Sequence, residues 1–455
     1  MTSRAGFSGP ISTASWYTRP RRATFDRAQT DREPTMRLQR AFFWLIGCGL
    51  AGALAGWPNG AADGLVAIKG GRVLPMNGEV IEAGVVLIEN GKIKQVGKDI
   101  LIPKEAVLID ASRGWILPGL IEAHSALGLQ DPGIGGSDEL SNPNEAPLLV
   151  LDGINPFDKR IKYAGQAGIT TALVAPGRGN VIGGQAAVIK LLFGKPVSEM
   201  ALLSPGGVKF SLGEGPKSAY GEKGRLPSTR MGSAYVIRKA LVEAQEYLAK
   251  GKDYELKKNK GKEEEKPKRD LALEPLARLL DGGMTAFIEC YRADDIMTAL
   301  RIVDEFKLKA VLIGCTEGAK MAEEIAKRGI PVIAGPLGIG SKRTETEEAA
   351  LSVPAALAKA GVKVVIHAEN ALGVGAQEEL PLAAALAVKG GLGREQALRA
   401  ITLTAAEVLG VADRVGSLEP GKDADLVIFN GDPLAYQTRV DKVLINGAVI
   451  SERKD

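Results

Sequence analysis

The chain has 455 residues, 45% hydrophobic and 25% charged, which is enough to bury a large core in one or more domains. Its formal net charge is +4, but residues 1–40 hold eight basic and three acidic side chains, which leaves 50 basic and 51 acidic groups in the rest. A body so close to neutral lacks the basic surface typical of nucleic-acid binding, so we expect no nucleic-acid partner.

The N-terminal region has the pattern of an export signal. Residues 36–40 carry two arginines, residues 41–55 are apolar, and Ala53 and Ala55 place small residues before a cleavage point. This pattern predicts a signal peptide over residues 36–55, with residues 1–35 as an upstream extension. The apolar stretch is short for a bilayer, so we expect no membrane span after cleavage.

Export would place the mature chain in the periplasm or outside the cell. The alternative is a lipoprotein, because Cys48 ends a lipobox-like sequence, Leu-Ile-Gly-Cys. Ordinary cleavage is favoured because apolar sequence continues beyond that cysteine.

Short strands are predicted at both ends of the mature chain. Asn90-Gly91 lies beside a run of alternating polarity, which predicts a hairpin with a type I′ turn. Asn446-Gly447 lies between two apolar runs, which also predicts a turn between strands. Neither end could bury a sheet face alone. We therefore expect residues 64–115 and 416–455 to form one small β-sandwich, with the middle of the chain inserted between them.

The middle, residues 116–415, alternates apolar strand-like runs with amphipathic helical stretches. About eight such units predict an α/β fold, a (β/α)8 TIM-type barrel. A doubly wound open sheet is the alternative, but no Gly-X-Gly-X-X-Gly follows a first strand. The charged run at about 251–270 is predicted to be a solvated loop or helix extension.

Several motifs then point to a family. Pro118-Gly119-Leu120-Ile121 leads through an acid to His124, and Gly410–Leu434 reads GVADRVGSLEPGKDADLVIFNGDPL. With AGITTALVAPGRGNVIGGQAAVIK at 167–190, these resemble the amidohydrolase superfamily, in particular its imidazolonepropionase-like branch. The resemblance implies a hydrolase of cyclic or acyclic C–N bonds in small molecules. It also implies one or two divalent metal ions, zinc foremost, at the carboxyl mouth of the barrel.

The resemblance also implies positions for the metal ligands. Family members supply two histidines from strand one, a lysine or glutamate from strand four, histidines from strands five and six, and an aspartate from strand eight. In this chain His124 matches the first histidine, Ala126 replaces the second, Lys209 lies on strand four and Glu289 takes the position on strand five. The whole sequence contains two histidines.

Strands six and eight complete the comparison. Cys315 lies at the end of strand six, and His367 and Glu369 lie at the end of strand eight. One hypothesis is therefore a metal held by His124, Glu289 and Cys315, with the remaining candidates, Glu369, His367 and Lys209, as catalytic groups.

The other hypothesis is a catalytically inactive homologue that acts as a binding or scaffold protein and holds no metal. In both cases a small molecule is the expected ligand, and homo-oligomers are compatible with the sequence.

Overall fold

The computed structural model describes residues 64–129, 136–261, 265–337, 344–368 and 379–453. The predicted extension, signal peptide and lipobox cysteine Cys48 lie outside the described residues, as does Glu369, so export stays a prediction. Within the described ranges, no helix is long and apolar enough to cross a membrane.

The first sheet contains strands from both ends of the chain. Its eight strands are β1 (Leu65–Val73), β2 (Ile81–Glu89), β3 (Lys92–Gly97), β4 (Val107–Asp110), β5 (Trp115–Pro118), β14 (Leu426–Phe429), β15 (Val440–Ile445) and β16 (Ala448–Glu452). The order is β16-β15-β14-β5-β1-β2-β3, with β4 paired to β1. Strand β5 pairs antiparallel with β14, which joins the N-terminal and C-terminal segments directly.

Both Asn-Gly pairs form hairpin turns. Asn90 and Gly91 have φ of 50° and 77°, and Asn446 and Gly447 have φ of 50° and 75°. They connect β2 to β3 and β15 to β16, which pair antiparallel. Positive φ at both central residues is the requirement of a type I′ turn, so the predicted hairpin at Asn90-Gly91 is confirmed.

The second sheet is the barrel sheet and runs in the order β13-β12-β11-β10-β9-β8-β7-β6. Its strands are β6 (Leu120–Ser125), β7 (Ile169–Val174), β8 (Ile182–Lys190), β9 (Ala201–Ser211), β10 (Ala286–Cys290), β11 (Ala310–Gly314), β12 (Val332–Ala334) and β13 (Val364–Ile366).

One strand differs from the prediction of eight parallel strands. Strand β8 is antiparallel to both β7 and β9, whereas the other neighbouring pairs of this sheet are parallel. Strand β7 ends at Val174 and β8 begins at Ile182. This connection is shorter than the dozen or more residues that a parallel crossover needs, so the chain turns back as a hairpin.

Helices lie between and after these strands. They are α1 (Lys159–Gln166), α2 (Val197–Met200), α3 (Glu214–Gly221), α4 (Arg230–Asn259), α5 (Glu274–Leu280), α6 (Ala293–Phe306), α7 (Ala322–Lys327), α8 (Val353–Lys359), α9 (Leu380–Lys389), α10 (Arg394–Ala400) and α11 (Leu403–Leu409). Short 3-10 turns cover Val150–Asp152, Gly318–Met321 and Thr344–Thr346. The first part of the charged run continues α4 to Asn259, as a helix extension.

Alternation along the barrel strands separates two packing environments. On β10, Ile288 and Cys290 pack in a cluster with residues of α4, α5 and α6. Phe287 packs instead in a second cluster with residues of β6, β11, β12, β13 and α11. Since side chains alternate along a strand, Glu289 lies on the same face of the sheet as Phe287.

Gly119 is the point at which the chain passes from the first sheet to the barrel sheet. Its N–H donates to Asp425 O at 2.9 Å, and the next N–H, of Leu120, donates to Gly168 O at 3.0 Å. The stretch from Ile116 to His124 is therefore divided between two sheets, since β5 ends at Pro118 and β6 begins at Leu120. A Cβ at Gly119 would lie 2.1 Å from Oγ1 and 2.7 Å from Cβ of Thr170, so only glycine fits.

Replacing Gly119 by alanine should therefore destabilise the protein. The added methyl group meets the buried Thr170 side chain, and overpacking of this kind costs about 1–3 kcal/mol. Gly251→Ala is the matched control, because a Cβ there meets nothing within 4 Å and the residue lies inside α4. It should gain about 0.5–1 kcal/mol in the free energy of unfolding measured with urea. Equal stability of the two variants would contradict this account of Gly119.

Candidate functional site

Four of the residues singled out from the sequence come together at the carboxyl edge of the barrel sheet. His124 lies near the end of β6, Lys209 near the end of β9, Glu289 near the end of β10, and His367 directly after β13. These strands run in the same direction, so their carboxyl ends meet at one edge. Binding and catalytic groups of barrel enzymes are found at this edge.

A buried ion pair forms the centre of the site. Lys209 Nζ lies 2.5 Å from Glu289 Oε2, 3.3 Å from Ser211 Oγ and 3.5 Å from Gly177 O. The other carboxylate oxygen, Glu289 Oε1, accepts a hydrogen bond from the Tyr291 hydroxyl at 2.7 Å. The carboxylate therefore has a positively charged partner on one oxygen and a neutral donor on the other.

The environment keeps Glu289 ionised. The lysine is fully buried and the glutamate is 2% exposed. Burial alone would raise the pKa of Glu289, but the charge of Lys209 and the hydrogen bonds from Lys209 and Tyr291 bring it well below its usual range. Burial and the neighbouring carboxylate raise the pKa of Tyr291 well above its usual value, so its hydroxyl stays protonated as a donor.

Both histidines of the chain lie beside this ion pair. Their ring centroids are 5.3 Å apart with the planes at 89°, and His124 Nε2 lies 3.8 Å from Glu289 Oε2. Burial, followed by the charge of Lys209, lowers the pKa of His124 well below 6.5, and burial lowers the pKa of His367 to about 4. Both imidazoles are therefore neutral near pH 7.

Glu122 connects the two strands that carry the histidines, and the sequence reasoning did not single it out. Its Oε1 accepts from His124 N at 3.1 Å, and its Oε2 accepts from Ala368 N at 3.0 Å. Strands β6 and β13 are the two ends of the barrel sheet, so this carboxylate links them where the ladder does not. The signal in the sequence was an acidic residue two positions before His124 in an otherwise apolar strand.

Cys315 does not join this group, so the structure does not bring the predicted metal ligand Cys315 together with His124 and Glu289. It packs with Cys290 in the cluster that faces the helices, and its N–H donates to Cys290 O at 2.8 Å. Because Glu289 and Cys290 are consecutive on β10, they point to opposite faces of the sheet. Cys315, which packs on the Cys290 side, is therefore separated from Glu289 by the sheet.

The residues that the structure brings together do not fit a catalytic metal centre. Such centres use three or four protein ligands, and the charge of Glu289 is already compensated by an ammonium group 2.5 Å away. Within the described ranges, no three His, Cys, Asp or Glu side chains are grouped to hold an ion. The set predicted from the sequence, His124, Glu289 and Cys315, is thus not assembled.

Comparison with known proteins places the chain in a family. A family model described as the amidohydrolase family matches residues 272–450. The crystal structure of an amidohydrolase from Thermotoga maritima MSB8 superposes with a TM-score of 0.79 and 35% sequence identity, covering 85% of this chain and 100% of that one. The chain belongs to the amidohydrolase family. The resemblance expected from its motifs is confirmed.

Two curated relatives match over shorter parts of their length. Amidohydrolase tasK of Hapsidospora irregularis is 28% identical over 388 residues, 80% of this chain and 39% of that protein. An imidazolonepropionase of Shouchella clausii is 36% identical over 117 residues, 22% of this chain and 25% of that protein. The chain thus spans well under two thirds of the length of these curated relatives.

Removing the charge of Glu289 should destabilise the fold strongly. Glu289→Gln leaves the ammonium of Lys209 buried without a counter-charge, which costs about 3–5 kcal/mol in the free energy of unfolding. The control is Glu305→Gln, whose partner Arg238 is 2.7 Å away but whose side chain is 44% exposed. That change should cost less than about 1 kcal/mol. Similar losses for the two variants in denaturant titrations would contradict the buried ion pair as described.

The histidines should make the stability depend on pH. His367 has a pKa near 6.5 in the unfolded chain and about 4 in the folded chain. Between pH 6.5 and pH 4 the imidazole is therefore protonated in the unfolded chain and neutral in the folded chain. Stability should therefore fall as the pH drops from 6.5 to 4, by about 3 kcal/mol for this residue, since each pH unit is worth about 1.4 kcal/mol. His367→Gln should reduce that slope in unfolding titrations. An unchanged slope would show that the folded protein protonates His367 normally.

Proposed function

We propose that this amidohydrolase hydrolyses non-peptide or cyclic amide C–N bonds of small molecules at the centre formed by His124, Lys209, Glu289 and His367. The observation that supports this most is the meeting of two neutral imidazoles with a buried ion pair at the carboxyl edge of the barrel sheet. A neutral imidazole can accept a proton, and a buried ion pair provides fixed charges for a polar transition state.

The chemistry assigns roles to His124, Glu289 and Lys209, and to Tyr291 beside them. His124 would take a proton from an attacking water molecule and later give it to the leaving nitrogen. The carboxylate of Glu289, 3.8 Å from His124 Nε2, would stabilise the imidazolium formed in between. Lys209 and Tyr291 keep this carboxylate ionised and hold it in place. A cyclic amide is our preferred substrate class, because one matching relative is named imidazolonepropionase.

A binding protein without turnover is the second candidate. Burial lowers the pKa of both histidines, which weakens them as bases. The negative charge of Glu289 is already compensated by the ammonium of Lys209. These features allow a ligand to be held by polar groups without a strong catalyst beside it.

Turnover assays on the full chain test the proposal. A panel of cyclic amides, including imidazolone rings and dihydropyrimidine rings, would be followed by chromatography for the ring-opened product. His124→Asn should reduce hydrolysis by about 100-fold or more, the usual contribution of a positioned base. Cys315→Ser should keep it, because that thiol packs on the helix-facing side.

The outcomes separate the two candidates. Turnover that is unaffected in a folded His124→Asn variant would contradict the assigned role of His124. Ligands that raise the melting temperature of the wild-type chain without being hydrolysed would support the binding protein instead.

A further inference from the structure

The ammonium of Lys209 lies where a cation would be expected in this centre. Lys209 Nζ and His124 Nε2 both approach the same oxygen, Glu289 Oε2, at 2.5 Å and 3.8 Å. A divalent ion held jointly by this imidazole and this carboxylate would have to lie against that oxygen. The ammonium already makes that contact and also reaches Ser211 Oγ at 3.3 Å.

The charges of the centre are balanced without a second cation. The Lys209 side chain has no solvent exposure, and the Glu289 side chain is 3% exposed. One negative and one positive charge cancel in a region that water does not screen. A divalent ion would be repelled by the buried ammonium of Lys209, and the charge of the Glu289 carboxylate is already compensated by that ammonium. The two imidazoles alone fall short of the three or four ligands that a catalytic site requires.

We propose that the ammonium of Lys209 replaces a divalent metal ion at this centre, so that the folded chain carries no metal there. The positive charge that organises the carboxylate and the imidazoles is then covalently part of the protein. The inference deepens the proposed function by naming what takes the place of the metal at the same centre. Metal content and turnover are separate measurements, so either can fail without the other.

Charge reversal at Lys209 is the sharpest test. Lys209→Glu would surround one point with two carboxylates and two neutral imidazoles, a donor set that zinc binds well. We expect this variant to retain about one equivalent of zinc after dialysis, measured by elemental mass spectrometry, and to melt several degrees higher with zinc. The wild-type chain, purified without chelator and without a histidine tag, should retain none and show no zinc-dependent shift.

A second variant covers the case in which charge reversal prevents folding. Lys209→Met removes the ammonium and leaves both imidazoles and the carboxylate as three donors, so it should also gain a zinc-dependent rise in melting temperature. Arg230→Met is the matched control. It removes a cation that lies 3.0 Å from the buried carboxylate of Asp295, while both histidines lie at the other centre. It should gain no response to zinc.

Two results would overturn the inference. One is about one equivalent of metal in the wild-type chain that is lost in His124→Ala, the behaviour of a metal site with a histidine ligand. The other is a folded Lys209→Glu or Lys209→Met variant that responds to zinc no more than Arg230→Met. The first would show that the centre holds metal despite the ammonium, and the second that the ammonium is not what excludes it.

Discussion

The buried ion pair between Lys209 and Glu289 is the interaction on which the rest of the site depends. Neither charge could remain buried alone, because an isolated charge in a protein interior costs several kcal/mol. The pair requires that β9 and β10 lie side by side in parallel, with Lys209 opposite Phe287 and Ser211 opposite Glu289. The field of these two charges then acts on His124, and the hydroxyl of Tyr291 completes the coordination of the carboxylate.

Two further contacts hold this centre at the edge of the barrel sheet. Glu122 accepts hydrogen bonds from backbone N–H groups on both the β6 and the β13 side, and so links the two segments that carry the histidines. At Gly119 the chain leaves the first sheet and enters β6, and the neighbouring Thr170 leaves no room there for a side chain. The first sheet thus provides a fixed starting point for the strand that carries His124, in addition to burying its own apolar face.

Local features of the sequence predicted much of the fold. Helices lie between the strands of the middle segment, as its alternation of apolar runs and amphipathic stretches predicts, and the hairpin turn at Asn90-Gly91 forms as its residue types require. Strand β8 was harder, because an apolar run reads alike in a parallel and an antiparallel strand. Its direction follows from the short connection after β7, which forbids a crossover. In the site, His124, Lys209, Glu289 and His367 were all named because the family resemblance implies functional groups at these strand ends.

The sequence by itself determined the family, the two sheets built from local strand and turn signals, and the list of polar residues at strand ends. Only the tertiary structure decided which of these residues meet. Side-chain direction at a strand end depends on register and on small irregularities such as those in β6, so the sequence could not show that Cys315 faces the helices while Glu289 faces the centre. It also could not show that Lys209 lies within 2.5 Å of Glu289, because the two are 80 positions apart and their pairing depends on how strands from distant parts of the chain align.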